Sequence, residues 1–382
     1  MTPQDSAQFD HAPAPPAGAP ASSPDPTGST AEAFVRACSD AGLAPRRAAL
    51  EAYAAWFRRA DASPLRGIGI NPEAPQPVKT LTTESPEGDV VKFLLEVPGR
   101  SGEPPLQTES VVIPMKRRHE TTRTLCVSSQ VGCAMGCVFC ETAQMGLIRS
   151  LTPAEIIRQW FAARHALGHE IKNIVFMGMG EPLENLDNVI SAVEVLTDHY
   201  GPAVAMSGIT ISTVGRIDGL MKLREAVQRP GWKQLNLAVS VNAPNDEVRS
   251  RIMPVNRSMP LDQLIPILET WPRRKSGAIC AEYVLIPGVN DATEHADELC
   301  RRLKGVRCCV NVIPYNPRRG SPWEAPSEET VERFLRDLEA RGQFCKRRRT
   351  KGRDTMAACG QLGNERIRQR RFVEVSASGA AL

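Results

Sequence analysis

Three cysteines lie close together in the run GCAMGCVFC, with the spacing C-x3-C-x2-C. Cys133, Cys137 and Cys140 supply soft thiolates, which suit an iron–sulfur cluster. Such clusters are normally held by four thiolates, so a set of three leaves one iron of a cubane without a protein ligand. The alternative is zinc, but a structural zinc site needs four ligands, and no histidine or fourth cysteine follows at zinc-finger distance. The spacing therefore favours a cluster with chemistry at an open iron.

Composition limits the class of protein. The 382 residues suffice for one large α/β barrel with a small additional domain. A hydrophobic content of 42% and a charged content of 24% are those of an ordinary globular protein. No apolar run approaches membrane-spanning length, and the N-terminus lacks the pattern of a signal peptide. We therefore expect a cytoplasmic protein without a membrane partner, whose eleven cysteines are thiols, cluster ligands or catalytic groups rather than disulfides.

The basic residues are clustered, although the net charge is only +4. One run spans residues 346–353, a second spans 366–371 and a third covers 116–118. A single basic run is most often a solvated surface. Here there are three such runs, and two of them flank the segment AACGQL. They are equally consistent with a partner that has a phosphate backbone, such as a nucleic acid, and with a solvated surface.

Changes in composition predict the domain organisation. Residues 1–30 are rich in Pro, Ala and Ser and predict a disordered tail. Residues 31–114 predict a small accessory region, helical at first and then made of short strands and turns. Residues 115–343 alternate between apolar strand-like runs and helical segments, and residues 344–382 form a basic C-terminal segment.

The alternation predicts an α/β fold, a partial (β/α)6 parallel barrel with right-handed crossovers. Its candidate strands are TLCVSS, NIVFMGM, GITIST, QLNLAVSV, ICAEYVLI and CCVNVIPY. The first helix has the clearest start, with Thr152 as N-cap, Pro153 at the first helical position and Glu155 completing a capping box. Catalytic residues of such folds cluster at the carboxyl ends of the strands. The cysteine loop directly follows the first strand, where this rule expects it.

Polar residues recur where predicted strands end. Glycines after the second strand let a ligand approach the backbone, and the carboxylate of Glu181 can accept hydrogen bonds from an ammonium group. Serine and asparagine side chains follow three further strands; they can bind ribose hydroxyls and an adenine edge, although their usual role is to form turns. Their recurrence favours a nucleoside site. The residues are Gly180, Glu181, Ser212, Ser240, Val241, Asn242 and Asn316.

Several segments together resemble the RlmN/Cfr family of radical S-adenosylmethionine (SAM) RNA methyltransferases. They follow one another in the expected order between about residues 109 and 362. The segments are TLCVSSQVGC, FCETAQMG, GMGEPLEN, ITISTVG, SVNAPNDEVR, LIPGVND, VNVIPYNP and AACGQL. The last is the most specific, because few other radical-SAM proteins have a cysteine there.

The resemblance implies a role for each candidate residue. The three clustered cysteines would hold a [4Fe–4S] cluster, and the polar residues at the strand ends would hold SAM. Cys359 would carry a methyl group, Cys126 would be its resolving partner, and Glu109 would be the base that removes a proton from the substrate ring.

The resemblance also implies the reaction. One SAM methylates Cys359. A second SAM is cleaved reductively to a radical that activates this methyl group for addition to an adenine, so two SAM molecules are used per turnover. Cys126 then forms a disulfide with Cys359 and releases the methylated RNA. We expect methylation of carbon 2 of an adenine in 23S ribosomal RNA, with transfer RNA as a second substrate. We also expect a monomer that takes electrons from a flavodoxin or ferredoxin.

Two alternatives remain open from the sequence: methylation of carbon 8, as in Cfr, and a zinc-stabilised RNA-binding module without catalysis. The chain also departs from the family in two places. Asn242 stands where the family usually has histidine, but an amide still donates and accepts hydrogen bonds, so SAM binding is expected to persist. The N-terminal region, which helps to engage RNA in the family, is short.

Overall fold

The computed structural model describes residues 24–99, 102–116, 120–352 and 355–363. Most of the predicted tail, and the basic run at 366–371, lie outside these residues. Within the predicted tail, Pro26–Gly28 form a 3-10 turn that is capped by the side chain of Asp25. Thr27 of this turn is buried. The packed part of the chain therefore begins before residue 31.

The helices agree closely with the sequence prediction because most have amphipathic faces and defined ends. The predicted capping box at Thr152 and Glu155 is confirmed. A short helix after the fourth parallel strand was not predicted. The helices are α1 (Ala31–Asp40), α2 (Arg46–Arg59), α3 (Ser63–Gly67), α4 (Pro153–Phe161), α5 (Leu186–Thr197), α6 (Ile217–Val227), α7 (Asp246–Ile252), α8 (Leu261–Glu269), α9 (Thr293–Leu303) and α10 (Glu328–Ala340).

Twelve strands are present in the described residues, and ten of them form one sheet. They are β1 (Lys79–Thr83), β2 (Val90–Val97), β3 (Leu106–Lys116), β4 (Thr121–Cys126), β5 (Gln130–Gly132), β6 (Leu147–Ser150), β7 (Ile171–Phe176), β8 (Ile209–Thr213), β9 (Asn236–Ser240), β10 (Ile279–Leu285), β11 (Cys308–Pro314) and β12 (Cys345–Arg347). The sheet order is β1-β2-β3-β4-β7-β8-β9-β10-β11-β12. This places the six predicted parallel strands side by side.

The sheet is parallel from β4 to β12 and antiparallel from β1 to β4. Its first and last strands do not pair with each other, so the α/β barrel is partial, as predicted. β12 adds a short seventh parallel strand that the sequence did not reveal. The predicted domain boundaries are not breaks in the sheet, because the one after residue 114 falls inside β3 and β12 follows directly after the one at residue 343.

The N-terminal helices pack against the outside of the barrel through aromatic residues. Trp56 of α2 stacks on Phe161 of α4 with ring centroids 4.5 Å apart. Tyr53 and Phe57, one turn apart on α2, are also fully buried. This contact fixes the accessory helices to α4, the barrel helix that follows the cysteine loop in the chain.

Candidate active site

The cysteine loop leaves β4 at the carboxyl end of the parallel sheet. A small hairpin of β5 and β6 frames it, and the Cys133 N–H donates to the carbonyl of Gly146 at 2.9 Å. Farther along, the Val138 N–H donates to the carbonyl of Ile252 at 3.0 Å, and the Val138 carbonyl accepts from Arg318 at 2.6 Å. Protein contacts thus hold the loop on both sides.

The three cysteines of the loop share one wall of a cavity. Cys133 and Cys137 are buried and Cys140 is half-buried. Burial raises the pKa of all three thiols, and electrostatic repulsion between neighbouring sulfurs raises it further. Such thiols become thiolates together only when a cation compensates their charge. The chemistry of this donor set therefore suits an iron–sulfur cluster.

The spacing of the donors also distinguishes a site for an iron–sulfur cluster from a site for a single metal ion. Within the described part of the chain, no three side chains of His, Cys, Asp or Glu converge closely enough to hold one metal ion. A tetrahedral zinc site needs such convergence. A cubane cluster needs less of it, because each thiolate binds a different iron atom. The arrangement fits a cluster better than zinc.

The cavity brings together most of the predicted site residues. It has a volume of about 1000 Å³, including its open mouth. Its walls combine the three loop cysteines with polar groups from the ends of β7, β8, β9 and β11. The predicted residues on its wall are Cys133, Cys137, Cys140, Gly180, Glu181, Ser212, Ser240, Asn242, Asn316 and Cys359. Val241, Cys126 and Glu109 are not on this wall.

Glu181 is a buried carboxyl group on the cavity wall. Its two oxygens accept hydrogen bonds from the N–H groups of Leu183 at 3.1 Å and Val214 at 2.9 Å. Burial raises its pKa to about 7, although these hydrogen bonds oppose the rise. A carboxylate held by two backbone donors at the end of β7 can receive an ammonium group from the cavity, as predicted from the sequence.

The neighbouring glycines are required by packing between loops. Gly180 has φ of +100°, and a β-carbon there would lie 2.6 Å from the β-carbon of Gln130. A β-carbon on Gly178 would lie 2.7 Å from the backbone of Val127. The sequence interpretation attributed these glycines to the approach of a ligand. The structure shows that the chain after β4 also needs this space.

Arg249 on α7 joins the ends of two parallel strands, and sequence reasoning missed it. Its guanidinium is fully buried and donates to the carbonyls of Val214, Ser240 and Val241. A further bond at 2.7 Å reaches the side chain of Asn256. Burial lowers the pKa of Arg249 to about 10, so the group remains charged at neutral pH. The arginine joins the end of β9 to the loop after β8, whose Val214 N–H in turn holds Glu181.

Asn242 lies where the chain turns sharply after β9, with φ of +56°. Its side-chain oxygen accepts from the Val284 N–H at 2.9 Å, and its side-chain nitrogen contacts the sulfur of Met253 at 3.2 Å. Asparagine tolerates this backbone conformation better than most residues. Its amide is therefore engaged within the protein, while Val241 lies behind it and supplies a carbonyl to Arg249.

The two cysteines implied in methyl transfer lie at neighbouring positions. Cys359 is half-buried on the cavity wall, and Cys126 is buried at the end of β4. Burial and the adjacent Cys359 raise the pKa of Cys126 to about 12, while the cation of Arg348 acts in the opposite direction. Arg348 also pairs with Glu282 at 3.4 Å. Sequence reasoning treated this arginine only as one member of a basic run.

Glu109 lies beneath the segment that carries Cys359. Its carboxylate forms an ion pair with Lys92 at 2.8 Å and accepts from the Gly363 N–H at 3.0 Å. The cysteine loop holds the same segment from the other side, because the Glu141 N–H donates to the carbonyl of Gly360 at 2.7 Å. The structure thus places the predicted base against the segment that carries the predicted methyl carrier, although not on the cavity wall.

The basic run at 346–353 is largely used within the protein. Arg347 pairs with Glu328 at 2.5 Å, and Lys351 pairs with Glu87 at 2.6 Å. Because these cations are already paired, they fix the C-terminal segment to the barrel. Phosphate contacts would have to come from exposed members of the run such as Lys346 and Arg349.

No helix in the described ranges is both long and apolar enough to cross a membrane.

The sequence of this chain is similar to those of known proteins. A model of the radical SAM superfamily matches residues 127–303. A probable dual-specificity RNA methyltransferase RlmN 1 from Protochlamydia amoebophila is 40% identical over 353 residues, which cover 90% of this chain and 94% of that protein. A probable dual-specificity RNA methyltransferase RlmN from Akkermansia muciniphila is 46% identical over 259 residues, covering 66% and 70% respectively.

A solved structure extends the likeness to three dimensions. The crystal structure of a radical SAM methyltransferase from Sphaerobacter thermophilus superposes with a TM-score of 0.76 and 34% sequence identity. The match covers 88% of this chain and 98% of that one. The likeness therefore extends beyond the barrel region.

Proposed function

The chain belongs to the RlmN family of radical-SAM RNA methyltransferases, and we propose that it methylates carbon 2 of an adenine in 23S ribosomal RNA, with transfer RNA as a second substrate. The observation that carries the proposal is the position of Cys359. Its thiol lines the same cavity as the three loop cysteines and has Cys126 as a neighbour. A methyl group on Cys359 would face the cofactor cavity and be within reach of a second thiol.

The cavity has separate places for the two cofactors. Cys133, Cys137 and Cys140 would hold a [4Fe–4S] cluster, which, when bound, supplies the electron that cleaves SAM. Glu181 would receive the ammonium group of SAM, since its carboxylate is held in place by two backbone donors. The residues that would surround the rest of SAM are Gly180, Ser212, Ser240, Asn242 and Asn316, with Val241 supporting them from behind.

Two cysteines would form covalent bonds at different steps of the reaction. The Cys359 thiolate would displace the methyl group of one SAM and carry it. After the carbon radical has joined the adenine ring, the adduct would lose one electron, returned to the electron donor, and the ring proton. The Cys126 thiolate would then attack the Cys359 sulfur; the sulfur–carbon bond breaks, its electron pair stays with the carbon and a proton from solvent completes the methyl group, the disulfide forms and the methylated RNA leaves. This route consumes a second SAM for radical chemistry, and its electron would come from a flavodoxin or ferredoxin.

Glu109 would remove the proton from the ring carbon before release. The carboxylate is buried, so water competes little for the proton. Because carbon 2 is hidden inside a helix stack, the adenine must be unstacked into the mouth of the cavity. The open mouth beside Cys359 offers this access.

Nucleoside analysis tests the proposed product. Ribosomal and transfer RNA would be isolated from a host that lacks its own enzyme of this type and expresses either this chain or Cys359→Ser. We expect 2-methyladenosine with the unaltered chain and none with the variant. 8-Methyladenosine would instead support the Cfr-like specificity. Absence of both, with an intact cluster, would refute the proposal.

A further inference from the structure

A buried ion pair joins the proposed base to the accessory strands. Lys92 on β2 and Glu109 on β3 lie diagonally opposite each other, because Leu94 is the register partner of Glu109 and Val111 that of Lys92. The Lys92 Nζ and Glu109 Oε2 atoms are 2.8 Å apart, and the two side chains are only 6% and 5% exposed. Charged groups are rarely buried to this extent unless they are paired.

The same ion pair holds the segment that carries Cys359 at two points. The Lys92 Nζ donates to the carbonyl of Met356 at 3.1 Å. The Glu109 Oε2 accepts from the N–H of Gly363 at 3.0 Å. These contacts lie three residues before and four residues after Cys359. The ion pair therefore contacts the chain on both sides of Cys359, the proposed methyl carrier, and also holds Glu109, the proposed base.

Stability alone does not account for this arrangement. Burying two charges costs free energy, and apolar residues of similar volume are often at least as stabilising as a buried ion pair. Val90 and Leu94, which lie on the same face of β2 as Lys92, are apolar and buried, so an apolar residue at position 92 would suit the strand. The presence of a buried cation at position 92 therefore needs an explanation other than stability. Its ion-pair partner Glu109, the proposed base, supplies that explanation.

We propose that Lys92 is a positioning residue that holds the Glu109 carboxylate by an ion pair and presents it together with the Cys359 segment. The inference rests on the proposed function, in which Glu109 takes the ring proton. In that step the C–H electron pair stays with the ring and the carboxylate becomes a neutral carboxyl group, while Lys92 keeps its charge. Without the cation, the charge of the buried carboxylate has no partner, which is strongly unfavourable and impairs its action as a base.

Loss of Lys92 should therefore stop the reaction at the covalent protein–RNA intermediate. Methyl transfer to Cys359 and carbon addition to RNA come before the proton transfer and do not use Glu109. A general base contributes about 100-fold or more to rate, so we expect release to slow by about that factor. Covalently bound RNA should accumulate even though Cys126 is present.

Two substitutions separate the charge of Lys92 from its hydrogen bonds. Lys92→Gln can still donate to both Glu109 and Met356 but carries no charge, and Lys92→Arg keeps the charge. Each variant would be purified under denaturing conditions from cells and assayed for attached RNA and for methyl on Cys359 by peptide mass. We expect RNA attached to Cys359 with Lys92→Gln and little with Lys92→Arg. In both variants, Cys359 that carries no RNA should carry a methyl group.

The outcomes distinguish the two proposals. A Lys92→Gln protein that releases RNA as fast as the unaltered chain would overturn the role of Lys92. So would one whose Cys359 carries neither a methyl group nor RNA, because the lysine would then serve the fold alone. Cys126→Ala, measured in parallel, reports on the pathway itself: if it holds no RNA either, the proposed function fails, whereas RNA on Cys126→Ala but not on Lys92→Gln refutes only the inference about Lys92.

Discussion

Substitution of Arg249 offers a quantitative test of how the cofactor cavity is organised. Arg249→Met removes the donor of three backbone carbonyls, those of Val214, Ser240 and Val241. Each unsatisfied buried carbonyl costs about 1–3 kcal/mol. The buried guanidinium no longer has to be desolvated, which offsets several kcal/mol of this cost. The net loss of unfolding free energy should be about 2–4 kcal/mol.

The loss should appear both in stability and in ligand binding. With a urea m-value of about 3 kcal/mol per M, the midpoint of unfolding should fall by about 1 M. The end of β9 at Ser240 and the loop after β8, whose Val214 holds Glu181, lose their common anchor, so SAM affinity should fall as well. Both quantities can be measured on anaerobically purified protein, by urea titration followed by circular dichroism and by calorimetry with SAM.

A neighbouring arginine provides the control. Arg251 lies on the same helix but is exposed, so Arg251→Met should leave both the urea midpoint and SAM affinity unchanged. If Arg249→Met shifts the midpoint no more than Arg251→Met does, the buried hydrogen bonds do not organise the site and the reasoning is wrong.

Three further predictions concern the wall of the cavity and the thiol of Cys126. Gly180→Ala should abolish SAM binding, because its β-carbon would lie 2.6 Å from that of Gln130 at a φ of +100°; calorimetry with SAM measures this. SAM affinity should rise between pH 5 and pH 7 and level off above, because the free Glu181 carboxyl has a pKa near 7 and an ammonium group favours its ionised form; Glu181→Gln should flatten this dependence. Arg348→Met should slow disulfide formation and increase covalently bound RNA, because the cation opposes the rise in the Cys126 pKa; Arg348→Lys should restore release.

Each of these predictions has a contradicting result. Unchanged SAM affinity in Gly180→Ala would mean that the loop after β7 can move away from β5. A pH profile that is the same in Glu181→Gln would assign the titration to another group. Normal RNA release by Arg348→Met would show that Cys126 does not need the nearby cation.

The sequence predicted the parts of the site that are local in the chain. The cysteine spacing and the polar residues at strand ends each lie within a few residues, and the parallel α/β order places them at one edge of the sheet. The cavity accordingly contains nine of these predicted residues, although Val241 lies behind it. The capping box at Thr152 was predictable for the same reason, since its partners are three residues apart.

The parts that were not predicted depend on contacts between distant segments. Lys92 and Met356 are 264 residues apart, and no local pattern marks them as neighbours. The only local sign was a single lysine in the apolar strand VVKFLLEV. Arg249 similarly looks like any charged residue of a short helix until the carbonyls of two strand ends are placed around it.

The basic run shows a limit of reading charge from sequence. Consecutive cations at 346–353 suggested a surface for RNA phosphates. In the structure, Arg347, Arg348 and Lys351 pair with carboxylates from three different elements. Charge patterns specify neither where the partner acids lie nor which cations remain free for a ligand.

The most direct test of the central claim, methyl transfer through Cys359, is the covalent intermediate itself. Cys126→Ala and the double variant Cys126→Ala/Cys359→Ala would be purified from cells under denaturing conditions and examined for attached RNA. The account predicts RNA on the single variant, linked at Cys359 by peptide mapping, and none on the double variant. Absence of RNA from the single variant, with its cluster intact and substrate RNA supplied, would contradict it.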